Sequence, residues 1–100
     1  MERFCNKYCM VRTKDAGVFA GTLESLDIKT GTAVVTNARR IFWWEGAASL
    51  SQLATTGTSR PTACKFPAPV KDVLLLNVIE IITITDEAAR SIASVEEWVE

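Results

Sequence analysis

The stretch from Asn37 to Ala54 gathers the residues of this chain best suited to chemistry: Arg39 beside Arg40, Trp43 beside Trp44, and Ser49 with Gln52 at the spacing of a capped helix start. Guanidinium forks match phosphate oxygens, indole faces stack on bases or on guanidinium planes, and a helix N-terminus offers unpaired N–H groups to an anion. Together they suggest a nucleotide-like ligand: Arg39 or Arg40 on phosphate, Trp43 or Trp44 on the base, and Ser49, Ser51 or Gln52 making polar contacts, with Lys65 as a further cation. The competing reading makes the tryptophans core or interface aromatics and the arginine pair a solvated strand face.

Catalysis has little to draw on. The chain contains no histidine, so the commonest general base and metal ligand is absent, and no serine elbow, glycine-rich phosphate loop or helical carboxylate pair replaces it. Asp15, Asp27 and Asp72 fall near turn signals, where solvated caps are the ordinary role. Cys5, Cys9 and Cys64 are an odd count, and Cys-x-x-x-Cys without histidine does not complete a zinc site. A binder that is not an enzyme is expected, with no metal and no cofactor.

Length and composition point the same way. One hundred residues, 48% of them hydrophobic, suffice for a single domain over 1–100 with a real core. No apolar run approaches the roughly 20 residues of a membrane-spanning helix. The first residues, Met-Glu-Arg-Phe-Cys-Asn-Lys, have no apolar signal region, so a cytoplasmic setting is expected. Net charge is −1, which argues against a nucleic-acid protein relying on broad counterion release. The charge is uneven: residues 1–85 carry ten Lys/Arg against seven Asp/Glu, whereas residues 86–100 carry Arg90 against five acids.

The elements that must position the Asn37–Ala54 residues are mainly strands. Tyr8 to Lys14 is rich in β-formers and ends at Asp-Ala-Gly; Val18 to Leu26 follows, with Gly21 marking a bulge or close backbone approach. Lys29-Thr-Gly31 predicts a hairpin into Thr32 to Asn37, with extended chain continuing to Trp44. A period of two along it places Arg39, Ile41 and Trp43 on one face and Arg40, Phe42 and Trp44 on the other, which allows an Arg-on-Trp stack at i, i+4. Ser49-Leu-Ser-Gln52 matches a capping box, predicting a short helix near 49–55 with Leu50, Leu53 and Ala54 inward. Thr55 to Thr62 reads as an exposed mobile loop able to act as a lid. Phe66-Pro-Ala-Pro69 is an edge or connector, and Val73 to Ile84 one long or two short strands buried by more than one layer. Thr85 with Asp86 and Glu87 starts a short helix near 86–94, Ala89, Ile92 and Ala93 inward. Trp98 is expected to anchor the last segment to the body or to a neighbouring subunit.

Gly17-Val-Phe-Ala-Gly21-Thr-Leu-Glu-Ser-Leu-Asp27, followed by a hairpin and Val34-Val-Thr-Asn-Ala38, resembles the first strands of small Sm-like and Src-homology-3-like barrels. The fold expected is therefore mainly β (α+β): a small, strongly curved antiparallel sheet or partly open barrel with two short helices. Asn37-Ala-Arg-Arg-Ile41, Trp44-x-Gly-Ala, Ser49-Leu-Ser-Gln-Leu-Ala54, Cys64-Lys-Phe66 and Val78-Ile-Glu-Ile-Ile82 resemble a family of small phage and prophage proteins. That resemblance implies a viral or prophage origin and expression in bacterial cytoplasm, and small phage proteins of this kind are frequently counter-defence factors. The leading expectation is a homo-oligomeric sponge that sequesters a nucleotide-derived immune signal without cleaving it. The alternatives are a protein-interaction or assembly module acting on a host protein, and an Sm-like single-stranded RNA binder, which the net charge disfavours.

Overall fold

Strand-forming runs separated by turn signals make the first forty residues a meander, seen in a computed structural model that describes residues 3–100. Strand β1 (Tyr8–Thr13) pairs antiparallel with β2 (Val18–Asp27), and β2 with β3 (Thr32–Arg40) across a turn in which the Gly31 N–H donates to Asp27 O. The β2–β3 register slips between Ala20 and Thr22. Gly21 lies there because a Cβ would come 2.9 Å from Thr36 O and 3.0 Å from the Ala38 Cα.

Val73 to Ile84 resolves into two strands on opposite edges. Strand β4 (Val70–Leu75) pairs with β3 and β5 (Val78–Thr83) with β1, giving the order β4-β3-β2-β1-β5. Four inter-strand steps of about 4.8 Å separate the edges of a flat sheet by about 19 Å, yet the chain from Leu75 to Val78 spans at most about 11 Å. The sheet must curl to bring its edges together. Leu76 and Asn77 make the crossing, with the Val78 N–H donating to Gly31 O and Asn77 O accepting from Lys14. No ladder joins β4 to β5, so the sheet is strongly curved but not closed.

Alternation along β1 feeds two cores. Cys9 and Val11 join Phe19, Leu23, Ala33, Val35, Ala38 and Leu75 inside the curl. Met10 points the other way, with Ala20, Ile41, Phe66 and Ile84, toward two helices. Helix α1 (Leu50–Thr56) starts at Ser49, whose Oγ accepts from the Gln52 N–H at 3.1 Å, and buries Leu53 and Ala54. Helix α2 (Asp86–Ser94) starts at Thr85, whose Oγ1 accepts from Ala88. Its inward face is Ala88 and Ile92, with Val95 beyond; Ala89 is half-buried, and Ala93, expected inside, is exposed.

Two expectations about connections are corrected. The extended chain leaves β2 after Ile41, and the Phe42 and Trp43 N–H groups both donate to Lys65 O, so Phe42 and Trp43 are both exposed instead of alternating. The segment Thr55 to Thr62 is pinned and cannot be a free lid. Thr58 Oγ1 donates to Glu45 O, the Thr58 N–H donates to Ser91 Oγ, the Ser59 N–H donates to Gly46 O, and a 3-10 turn follows at Pro61–Ala63. Among the described residues no helix is long and apolar enough to cross a membrane.

Candidate functional site

Arg39 and Arg40 part company at the end of β3. Arg39 is 8% exposed, and all three nitrogens of its guanidinium are hydrogen-bonded. Nε donates to Pro67 O at 3.0 Å, Nη1 to Ile92 O at 2.9 Å, and Nη2 to Phe66 O at 3.1 Å and Val95 O at 2.6 Å. The same group lies 5.6 Å from the Phe66 ring centroid. A buried cation satisfied by carbonyls in this way ties β3 to the segment after Cys64 and to the end of α2. The expectation that Arg39 binds a ligand is therefore corrected: four of its five guanidinium N–H groups are bonded to carbonyls in a buried setting, and its role is structural. Arg40 is exposed but committed elsewhere, with Nη1 donating to Ala16 O at 2.6 Å and Cζ lying 4.2 Å from the Phe19 ring centroid. The cation–aromatic contacts of both arginines are thus with phenylalanines, and the anticipated Arg-on-Trp stack is absent among the described residues.

The side chains of Ser49 and Gln52 are likewise spent on structure. Gln52 Oε1 reaches back one residue further than a capping box requires, accepting from the Ala48 N–H at 2.7 Å. Ser49 Oγ is the cap itself, and Ser51, although exposed, contributes its carbonyl to Thr55 Oγ1. Trp44 is half-buried against the helix-side core. Of the residues singled out in the sequence, the structure brings together Trp43 and Lys65, which face each other in an antiparallel bridge.

That bridge lies in an aromatic surface that the arginine-centred reading missed. Phe42 stacks on Trp98 with ring centroids 5.3 Å apart and planes 7° from parallel. Lys65 Nζ lies 5.4 Å from the Trp98 ring centroid. Phe42 is 58% and Trp43 53% exposed. Glu45 accepts from Trp43 Nε1 at 3.2 Å and pairs with Arg60 at 2.6 Å, holding the indole edge and neutralising that arginine. Trp98 is fixed through its backbone, its N–H donating to Phe66 O at 3.0 Å, which bears out its expected part in anchoring the last segment to the body. The sequence signal for this surface is the unbroken run Phe42-Trp43-Trp44 just past a strand end; Trp98 is legible as an anchor, but nothing local pairs it with Phe42.

Beside Trp98 opens a cleft of about 540 Å³ lined by Pro61, Thr62, Cys64, Glu96, Glu97 and neighbours. Two carboxylates border it, whereas Arg60 and Lys65 do not line it. Burial pushes the thiol of Cys9 and the phenol of Tyr8 above their ordinary values, a nearby Lys7 and Arg39 respectively opposing the shift; Cys9 lies within the curl, so its raised thiol is inert packing. Among the described residues no three His, Cys, Asp or Glu side chains gather as metal ligands. A family model described as Domain of unknown function (DUF6948) matches residues 6–92. No curated protein matches the chain.

Proposed function

We propose, for a chain that belongs to the DUF6948 family, a non-catalytic binding role in which a protein partner docks on the face formed by Phe42, Trp43, Lys65 and Trp98. One observation carries this reading: Phe42 and Trp43, each more than half exposed, sit on backbone fixed by the Trp43–Lys65 bridge, with Phe42 stacked on Trp98. Contiguous exposed aromatics lower the free energy of a complex when a partner covers them, and tryptophan dominates such interfaces. Rigid anchors also lose little side-chain entropy on association. The resemblance to small phage and prophage proteins supports a bacterial host protein as that partner.

Sequestration of a nucleotide-derived signal draws less support. It needs a guanidinium beside the indoles, but that of Arg39 is sealed inside and that of Arg40 is held at the β1–β2 turn. A phosphorylated guest beside Trp98 would also meet the carboxylates of Glu96 and Glu97.

The test is affinity capture from bacterial lysate with the wild type and with Phe42→Ala/Trp43→Ala, alongside mass measurement of the purified protein. A defined partner whose recovery falls at least tenfold in the double variant supports docking; an oligomer that the double variant dissociates makes that partner a second copy. Calorimetry with cyclic dinucleotides, cyclic trinucleotides and ADP-ribose derivatives supplies the opposing result: saturable binding tighter than about millimolar, lost in Arg40→Ala, would replace docking with sequestration.

A further inference from the structure

We propose that the cleft beside Trp98 receives an arginine side chain of the docked protein, an inference that rests on reading the neighbouring aromatic face as a docking surface. The cleft, of about 540 Å³, is within the size range of specific small-group sites. Trp98 lines it together with the adjacent Glu96 and Glu97. The chain already shows that this ring accepts a positive charge, since Lys65 Nζ lies 5.4 Å from its centroid. Arg60, next in sequence to the lining Pro61, is paired with Glu45 at 2.6 Å, and Lys65 sets one positive charge against the two glutamates. After Arg90, residues 91–100 contain Glu96, Glu97 and Glu100 and no Lys or Arg. Charge complementarity therefore selects a cationic guest.

Between the two natural cations, guanidinium fits better. It is planar, stacks on an indole face and forks a carboxylate, whereas an ammonium is a strongly hydrated point charge. The wall is also preorganised: Glu97 bridges Phe66, the Trp98 N–H is bonded to Phe66 O, and Val95 O is held by Arg39. An incoming guanidinium meets a wall whose backbone is already fixed, so ordering is confined to the two carboxylates.

The experiment titrates the full-length chain with acetyl-Gly-Arg-Gly-amide and with its neutral citrulline and its lysine counterparts, following the Trp98 indole N–H by NMR. The arginine peptide should shift that resonance saturably, the citrulline peptide should bind at least tenfold more weakly, and lysine should fall between. Glu96→Gln/Glu97→Gln, two exposed positions, should melt as the wild type does and bind the arginine peptide at least tenfold more weakly. Lys65→Met should tighten binding by removing a competing cation. Equal shifts from arginine and citrulline peptides, no effect of the Glu96/Glu97 variant, or weaker binding by Lys65→Met would overturn the proposal. No peptide binding, with partner capture still dependent on Phe42 and Trp43, removes the arginine site and leaves the docking face. Peptide binding with capture indifferent to Phe42 and Trp43 removes the docking face and leaves the arginine site. Self-association abolished by Glu96→Gln/Glu97→Gln without peptide binding would give the cleft to a second copy and overturn the arginine assignment.

Discussion

Arg39→Ala is expected to damage the fold and leave the binding surface without a direct loss. Four hydrogen bonds to carbonyls at about 1.5–3 kcal/mol each would sum to about 6–12 kcal/mol. That approaches the whole stability of a 100-residue chain, at roughly 0.05–0.15 kcal/mol per residue, because the sum omits the cost of drying the cation. What truncation leaves behind is the better guide. Phe66 O keeps the Trp98 N–H and Ile92 O keeps the Val95 N–H, but Pro67 O and Val95 O lose the donor that reaches them. Two orphaned acceptors at about 1–3 kcal/mol each, with the lost contact to the Phe66 ring, give about 3–5 kcal/mol. At about 4–8 °C per kcal/mol for a domain of this length, the melting temperature should fall by about 12 °C or more. Urea unfolding followed by tryptophan emission measures the difference, and Arg39→Lys should restore only part of it, since one ammonium cannot reproduce the fork. A loss below about 1 kcal/mol with an unchanged denaturant slope would refute the reasoning and return Arg39 to the pool of ligand-binding candidates.

Gly21→Ala should cost about 1–3 kcal/mol by overpacking, because its Cβ would meet Thr36 O at 2.9 Å and the Ala38 Cα at 3.0 Å and backbone must move; an unchanged urea midpoint would contradict this. Tyr8 and Cys9 are held above their usual 10.0 and 9.0 by burial, so the unfolded chain releases these protons first as pH rises. Their stabilisation is therefore complete below about pH 9 and declines above it. Urea midpoints should be flat from about pH 7 to 8.5, then fall, and Tyr8→Phe with Cys9→Ala should flatten the decline; a midpoint rising above about pH 9 would reverse the assignment.

Much of the frame was legible locally. Alternating β-formers located β1 to β3, Thr30-Gly31 placed a turn, and Ser49 and Thr85 marked both helix starts, because strand pleat, turn geometry and capping depend on neighbours within a few residues. The candidate site was less legible because its partners are distant. Nothing around Arg39 states that the carbonyls of Ile92 and Val95, 53 and 56 residues away, will surround it. The period-two reading paired Arg39 with Trp43, but the chain turns from β2 to Lys65 after Ile41 and breaks the phase. Thr55 to Thr62 has loop composition, yet Ser91 and Glu45 hold it.

The long reach of Arg39 has a consequence for the chain as it is synthesised. Val95, the last of the residues whose carbonyls accept from that guanidinium, is translated 56 residues after it. Until then the arginine remains hydrated and the meander is unlatched on its helix side. Substitutions at this latch should therefore quicken unfolding more than they slow the initial collapse, and a ribosome-stalled fragment ending before Ile92 should be the form most easily cut by protease.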